Sequence, residues 1–139
     1  SDLYKPLRDD ELTKVAQIGR GAHGVVWKGE WRGVPVAIKQ MINADAHVRK
    51  QLQGEARRLA QLRPHRNVVT FYGVVAEPLQ VVIEFCAGGS LDALLYGGSS
   101  ARALTPAQMH SIVTDVAKGV AHLHYEDVVH RDLAARNVL

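Results

Sequence analysis

An α+β architecture follows from three features of this 139-residue chain: paired β-branched and aromatic runs up to about Cys86, one helical repeat between those pairs, and helical spacing from there onward. Composition agrees with a packed domain. Hydrophobic residues make up 47% and charged residues 22%, and a chain of this length buries about two-thirds of its unfolded surface. Seventeen Lys and Arg against fourteen Asp and Glu leave a net charge of +3, too small and too scattered to mark a nucleic-acid surface. The densest basic stretch, Arg57, Arg58, Arg63 and Arg66, reads as a solvated helix face. One cysteine, Cys86, excludes an internal disulfide and a cysteine-based zinc site, which fits a reducing compartment. The longest apolar region, Val68 to Ala87, is broken by Glu77, Pro78, Gln80 and Glu84 and falls short of the ~18 residues of a membrane span. The chain opens on Ser1 without a leader, as expected of a cytosolic protein or of a piece cut from something longer.

Each element has its own signal. Val25, Val26, Trp27 and Trp31 lead to Arg32 and Gly33 and then to Val34, Val36 and Ile38, which predicts two strands joined by a two-residue hairpin turn. A helix from about Ala46 to Leu62 comes next, capped by Asp45, with Val48, Leu52, Leu59 and Leu62 at helical spacing. Val68 to Val75 and Gln80 to Cys86 form a second strand pair, joined through Glu77 and Pro78. Beyond Cys86, a short helix near Ser90 to Tyr96 and a loop at Gly97 to Ser100 precede a long helix from Thr105 to Tyr125. Thr105, Pro106 and Gln108 give that helix a capping box with proline in its first turn, and Met109, Ile112, Val113, Val116, Val120 and Leu123 continue its apolar face.

Chemistry concentrates in three places. Gly19, Gly21 and Gly24 spell G-x-G-x-x-G, where backbone amides can close on phosphate oxygens because no Cβ intervenes. The residues after Gly24 favour extended chain, so the motif reads as a strand–loop–strand flap and not as the helix-opening dinucleotide fingerprint. Taken alone, the glycines fit a ligand-free turn better than a phosphate site. Lys39 lies in the strand Val34 to Met41, on the side of Pro35, Ala37 and Met41 and opposite Val34, Val36 and Ile38. Glu55 falls in the middle of the helical stripe, where an ionised carboxylate is costly unless a cation meets it, and Lys39 is the natural partner. Such a pair is either purely structural or presents an ammonium beneath a phosphate-cradling loop.

The third place is His130-Arg131-Asp132-Leu133-Ala134-Ala135-Arg136-Asn137. With it, the chain resembles a eukaryotic protein kinase domain of the tyrosine-kinase or tyrosine-kinase-like group: the glycine loop with Val26, the strand Val36-Ala37-Ile38-Lys39, Glu55 on the helix and H-R-D-x-x-x-x-N occur in the family's order. The resemblance implies an antiparallel five-stranded N-lobe sheet with one helix, followed by the first helices of a mainly helical C-lobe. It implies ATP and Mg2+ as cofactors, with a protein as the phosphoryl acceptor. By the same resemblance Ile18, Gly19, Gly21, Gly24, Val26 and Ala37 border the nucleotide, and Lys39 contacts its α- and β-phosphates and is held by Glu55. Ile83 is the gatekeeper, and Glu84, Phe85 and Cys86 form the hinge that meets the adenine edge. Asp132 is the catalytic-loop aspartate and Asn137 a magnesium ligand.

Arg131 resembles the arginine that pairs with a phosphorylated activation loop. Ala134, Ala135 and Arg136 resemble the tyrosine-kinase form of the catalytic loop, whereas the hairpin from Gly29 to Gly33 resembles tyrosine-kinase-like serine/threonine enzymes. His23, at the tip of the glycine loop, departs from the aromatic or serine more usual there. No D-F-G segment or activation loop occurs in the 139 residues. The expectation is a partial kinase domain over 1–139, with 1–86 as N-lobe and hinge and 87–139 as the start of the C-lobe, inactive by itself and exposing a stripe at Ile112, Val116 and Val120. The alternative is a non-catalytic nucleotide-binding or regulatory module. No nucleic-acid partner and no membrane segment are expected, and the location is cytoplasmic or the cytoplasmic part of a membrane protein.

Overall fold

The computed structural model describes residues 5–21, 24–88 and 104–126, with Glu55 by its backbone alone. The expected helix at Ser90 to Tyr96, the loop at Gly97 to Ser100, His23 and the His130 to Asn137 loop lie outside the described residues. Strands β1 (Pro6–Leu7), β2 (Leu12–Gly21), β3 (Gly24–Trp31) and β4 (Val34–Met41) precede helix α1 (Ala46–Ala60). Strands β5 (Phe71–Val75) and β6 (Gln80–Glu84) follow, and then helix α2 (Pro106–Tyr125). The described parts of 1–62 and 70–85 form one unit, and those of 63–69 and 86–139 form another.

In the first unit the sheet has six strands in the order β1-β5-β6-β4-β3-β2, which corrects the expected five and their all-antiparallel pairing. The extra strand is β1, parallel to β5 with Pro6 opposite Val74 and Leu7 opposite Val75. Two residues carry no readable alternation, so only the tertiary pairing makes them a strand. That pairing depends on Gly73, where a Cβ would stand 2.4 Å from the Lys5 carbonyl oxygen. The β3–β4 turn falls at Arg32 and Gly33 as expected, with φ of 51° and 78°. Positive φ at both central residues gives the tight hairpin whose twist suits antiparallel strands.

Strand alternation divides the sheet into two faces. On one, Val36, Ile38 and Val82 are fully buried with Leu7, Leu12, Trp27, Trp31 and Tyr72 packed around them. The N-terminal segment is tied down there. Gln80, fully buried, donates from Nε2 to Asp9 Oδ1 at 2.8 Å, and Trp31 Nε1 donates to Glu11 Oε2 at 3.4 Å. On the other face, Phe71, Val74, Leu79 and Ala56 of α1 form the core, with Met41, Leu52, Ala60, Val81 and Ile83 around it.

Helix α1 begins as its cap predicts, since Asp45 Oδ1 accepts from the Val48 amide at 2.9 Å. Its buried side is a correction. Leu52, Ala56 and Ala60 face the core at i, i+4 and i+8, while Val48 and Leu59, expected in the apolar stripe, are 38% and 36% exposed. Alanine fits the close approach of helix to sheet, and hydrophobicity alone points to the larger residues.

In the second unit α2 carries the expected capping box, with Thr105 Oγ1 accepting from the Gln108 amide at 3.1 Å and Gln108 Oε1 accepting from the Thr105 amide at 2.9 Å. It packs on segment 63–69. Gly119 is buried where a Cβ would stand 2.5 Å from the Asn67 carbonyl oxygen, His122 Nε2 donates to the Arg63 carbonyl at 2.8 Å, and the His65 and His122 rings stack at 4.7 Å. Ile112 and Val116 share the Gly119 side of the helix at i, i+4 and i+7. They and Val120 are therefore half-buried, and the exposed large hydrophobic residues of α2 are Met109, Val113 and Tyr125, which corrects the expected stripe.

Candidate nucleotide site

The glycine motif forms the end of the β2–β3 hairpin, with Gly19 opposite Val26 and Gly21 opposite Gly24. Gly24 opens a strand and not a helix, as the residues after it predict. The three glycines are not equivalent. A Cβ on Gly24 would stand 2.2 Å from the Gln40 carbonyl oxygen, so glycine there lets β3 lie against β4. At Gly19 a Cβ would meet Val26 at an ordinary 3.6 Å, and at Gly21 it would meet nothing within 4 Å. The fold requires the third glycine and leaves the first two unexplained. Bare backbone facing open space is what an anion needs in order to reach peptide amides.

Register then aligns the candidates. Val26 pairs with Gly19 on one side and with Lys39 on the other, and Lys39 pairs in turn with Val81. Directly opposed residues in an antiparallel sheet share a face, so Gly19, Val26, Lys39 and Val81 form one row across four strands. Ala37 and Ile83, paired with each other, lie in the next row of the same face. This is the face that α1 covers in part. The α1 core takes in Met41, Val81 and Ile83 but neither Ala37 nor Lys39.

Lys39 is consequently exposed, and among the described residues it enters no ion pair. Its neighbours Val26, Ala37 and Val81 are small or apolar as expected, but the lysine is not desolvated by them. Burial therefore gives it no need of a carboxylate partner. Glu55 has its backbone on α1, one residue before the buried Ala56, and its side chain lies outside the described residues. Ile18 is 51% exposed, at the bulge that shifts the β2–β3 register between Gln17 and Gly19.

Ile83 is half-buried against the α1 core. At the end of β6 the Glu84 amide donates to the Thr70 carbonyl at 2.8 Å, and Glu84 Oε1 accepts from the Thr70 amide at 3.0 Å. Phe85 and Cys86 follow, both half-buried. Asp132 and Asn137 lie outside the described residues, and no cluster of three or more potential metal ligands occurs among the described ones. Sequence reasoning missed Lys28. Its Nζ lies 5.0 Å from the centroid of the Phe85 ring, and the available signal was its place two residues beyond Val26, on the same face.

A glycine hairpin bordering a row that carries one exposed lysine is suited to the polyphosphate of a nucleotide, and open space at Gly21 with an exposed ammonium at Lys39 fits such a group. Comparison narrows the class. Residues 12–139 match the family described as protein tyrosine and serine/threonine kinase, and the chain belongs to that family. It is 38% identical over 93% of its length to serine/threonine-protein kinase VIK of Arabidopsis thaliana. It is 37% identical over 98% of its length to human mitogen-activated protein kinase kinase kinase 7, and 37% identical over 96% to human cytoplasmic tyrosine-protein kinase BMX. It spans 30%, 22% and 20% of these relatives, respectively. None of the helices among the described residues is long and apolar enough to cross a membrane.

Proposed function

We propose that this chain is the nucleotide-binding part of an ATP-dependent protein kinase that transfers the γ-phosphoryl group to a protein hydroxyl. The observation that carries the reading is the row Gly19–Val26–Lys39 beside an open Gly21. In this reading Gly19 and Gly21 leave amides free for phosphate oxygens, Lys39 neutralises the α- and β-phosphates, and Glu55 orients Lys39 once nucleotide is bound. Val26 and Ala37 pack on the base, Ile83 closes the space behind it, and Glu84, Phe85 and Cys86 meet its edge. Asp132 takes the acceptor's proton, and Asn137 is the ligand this chain would supply to Mg2+, which neutralises phosphate charge when bound. The chain spans 30% or less of the relatives named above, so phosphoryl transfer is proposed for the whole protein.

Tyrosine is the acceptor we favour, supported by Ala134, Ala135 and Arg136 in the catalytic loop. A second reading, serine or threonine, is supported by the Gly29 to Gly33 hairpin and by the names of VIK and mitogen-activated protein kinase kinase kinase 7. Peptides with tyrosine, serine or threonine as the sole hydroxyl decide between them. Asp132→Asn in the full-length protein should lower phosphoryl transfer about 10²- to 10⁴-fold and leave ATP binding intact. Undiminished transfer would remove Asp132 from the chemistry, and a wild-type protein that binds ATP without transferring phosphate would favour the non-catalytic alternative.

A further inference from the structure

Two lysines stand on the same face of the sheet, and the proposed function uses only one. Lys28 pairs with Ala37, and Ala37 pairs with Ile83, so Lys28, Ala37 and Ile83 form a row beside that of Gly19, Val26 and Lys39. Its ammonium does not share the phosphate end with Lys39. It lies 5.0 Å from the centroid of Phe85, just past the end of β6 and two strand spacings from β3, roughly 10 Å away. A cation over an aromatic face is attracted by the ring quadrupole, so the contact orients both partners. From the opposite side, the paired hydrogen bonds between Glu84 and Thr70 hold the last residue of β6 to the start of β5. The chain from Glu84 to Phe85 is thus held from the β5 side by hydrogen bonds and from the β3 side by a cation.

We propose that Lys28 is a positioning residue for base recognition: by holding the Phe85 ring it fixes the backbone beside Phe85 in the geometry that receives the adenine edge, and it contributes nothing to the phosphates. The assignment rests on the nucleotide-site reading above. Its physical basis is preorganisation, since a hinge already ordered before binding loses less entropy when the base arrives.

Calorimetric titration of the full-length protein with adenosine and, separately, with inorganic tripolyphosphate divides the base end from the phosphate end. Lys28→Met should weaken adenosine about 2- to 5-fold, the range of an exposed cation–aromatic contact, and leave tripolyphosphate unchanged. Lys28→Arg keeps a cation over the ring and should restore adenosine affinity, which a loss of general stability would not predict. Phe85→Leu should weaken adenosine by itself, and adding Lys28→Met to it should cost nothing further. Weaker tripolyphosphate binding in Lys28→Met, an additive double variant, or unchanged adenosine affinity each overturns the proposal alone. A wild-type protein that binds tripolyphosphate but not adenosine removes the adenine reading itself, and the role of Lys28 with it.

Discussion

The two faces of the sheet put the same strands to opposite uses. On β4, Val36 and Ile38 are fully buried, whereas Ala37 between them is half-buried and Lys39 is exposed. The sealed face is completed by two tryptophans, a tyrosine and the N-terminal segment, and its fully buried polar side chain, Gln80, is hydrogen-bonded to Asp9 and to the Pro78 carbonyl. Among the described residues, the other face is covered by α1 at Met41, Val81 and Ile83. Period-two alternation therefore separates two sets of residues within a single strand: one is constrained by packing, and the interleaved set is the one the proposed function gives to the nucleotide.

Adjacent substitutions on β4 test this division most strongly. Ile38→Ala should destabilise by about 2–5 kcal/mol through a cavity in the sealed face, read as a lower Tm. Lys39→Met should leave stability within about 0.5 kcal/mol while weakening tripolyphosphate about 10- to 100-fold, the range of charge-assisted hydrogen bonds. A large fall in Tm for Lys39→Met would mean that the open face is structural after all. The glycines give a sharper and smaller contrast. Gly24→Ala should cost about 1–3 kcal/mol, because its Cβ meets the Gln40 backbone. Gly21→Ala should be neutral in denaturant melts and detectable only in phosphate binding, and equal destabilisation by both would erase the distinction. The smallest of the three expected losses of stability is that of Asp9→Ala, about 0.5–1.5 kcal/mol, since Gln80 Nε2 keeps its bond to the Pro78 carbonyl. Chemical denaturation resolves that difference, and no change at all would show that the N-terminal segment is fastened by β1 alone.

Local chemistry was the legible part. The turn at Arg32 and Gly33, the Asp45 cap and the Thr105 capping box each depend on residues within a few positions, and each lies where the sequence puts it. The candidate face was legible in part, because alternation placed Ala37 and Lys39 on one side of β4. Its assembly was not. Which residues of β2, β3 and β6 stand beside Lys39 is set by register, and two bulges in β2 shift that register without a visible mark in the sequence.

The inward side of α1 was misread for a related reason: Val48 and Leu59 are more hydrophobic than Ala56, but the distance between helix and sheet selects for size. Lys28 was overlooked because its partner, Phe85, is distant in sequence and meets it only when β3, β4 and β6 lie side by side.

By itself, then, the order of residues determined where the β3–β4 hairpin turns, where α1 and α2 begin, and the family to which the chain belongs, because those depend on short-range backbone preference and on a fixed sequence of motifs. Folding in three dimensions decided which glycines are structural, which lysine is exposed without an ion pair among the described residues and which one lies over an aromatic ring. Those are questions of what stands within a few ångströms, and only packing between distant segments answers them.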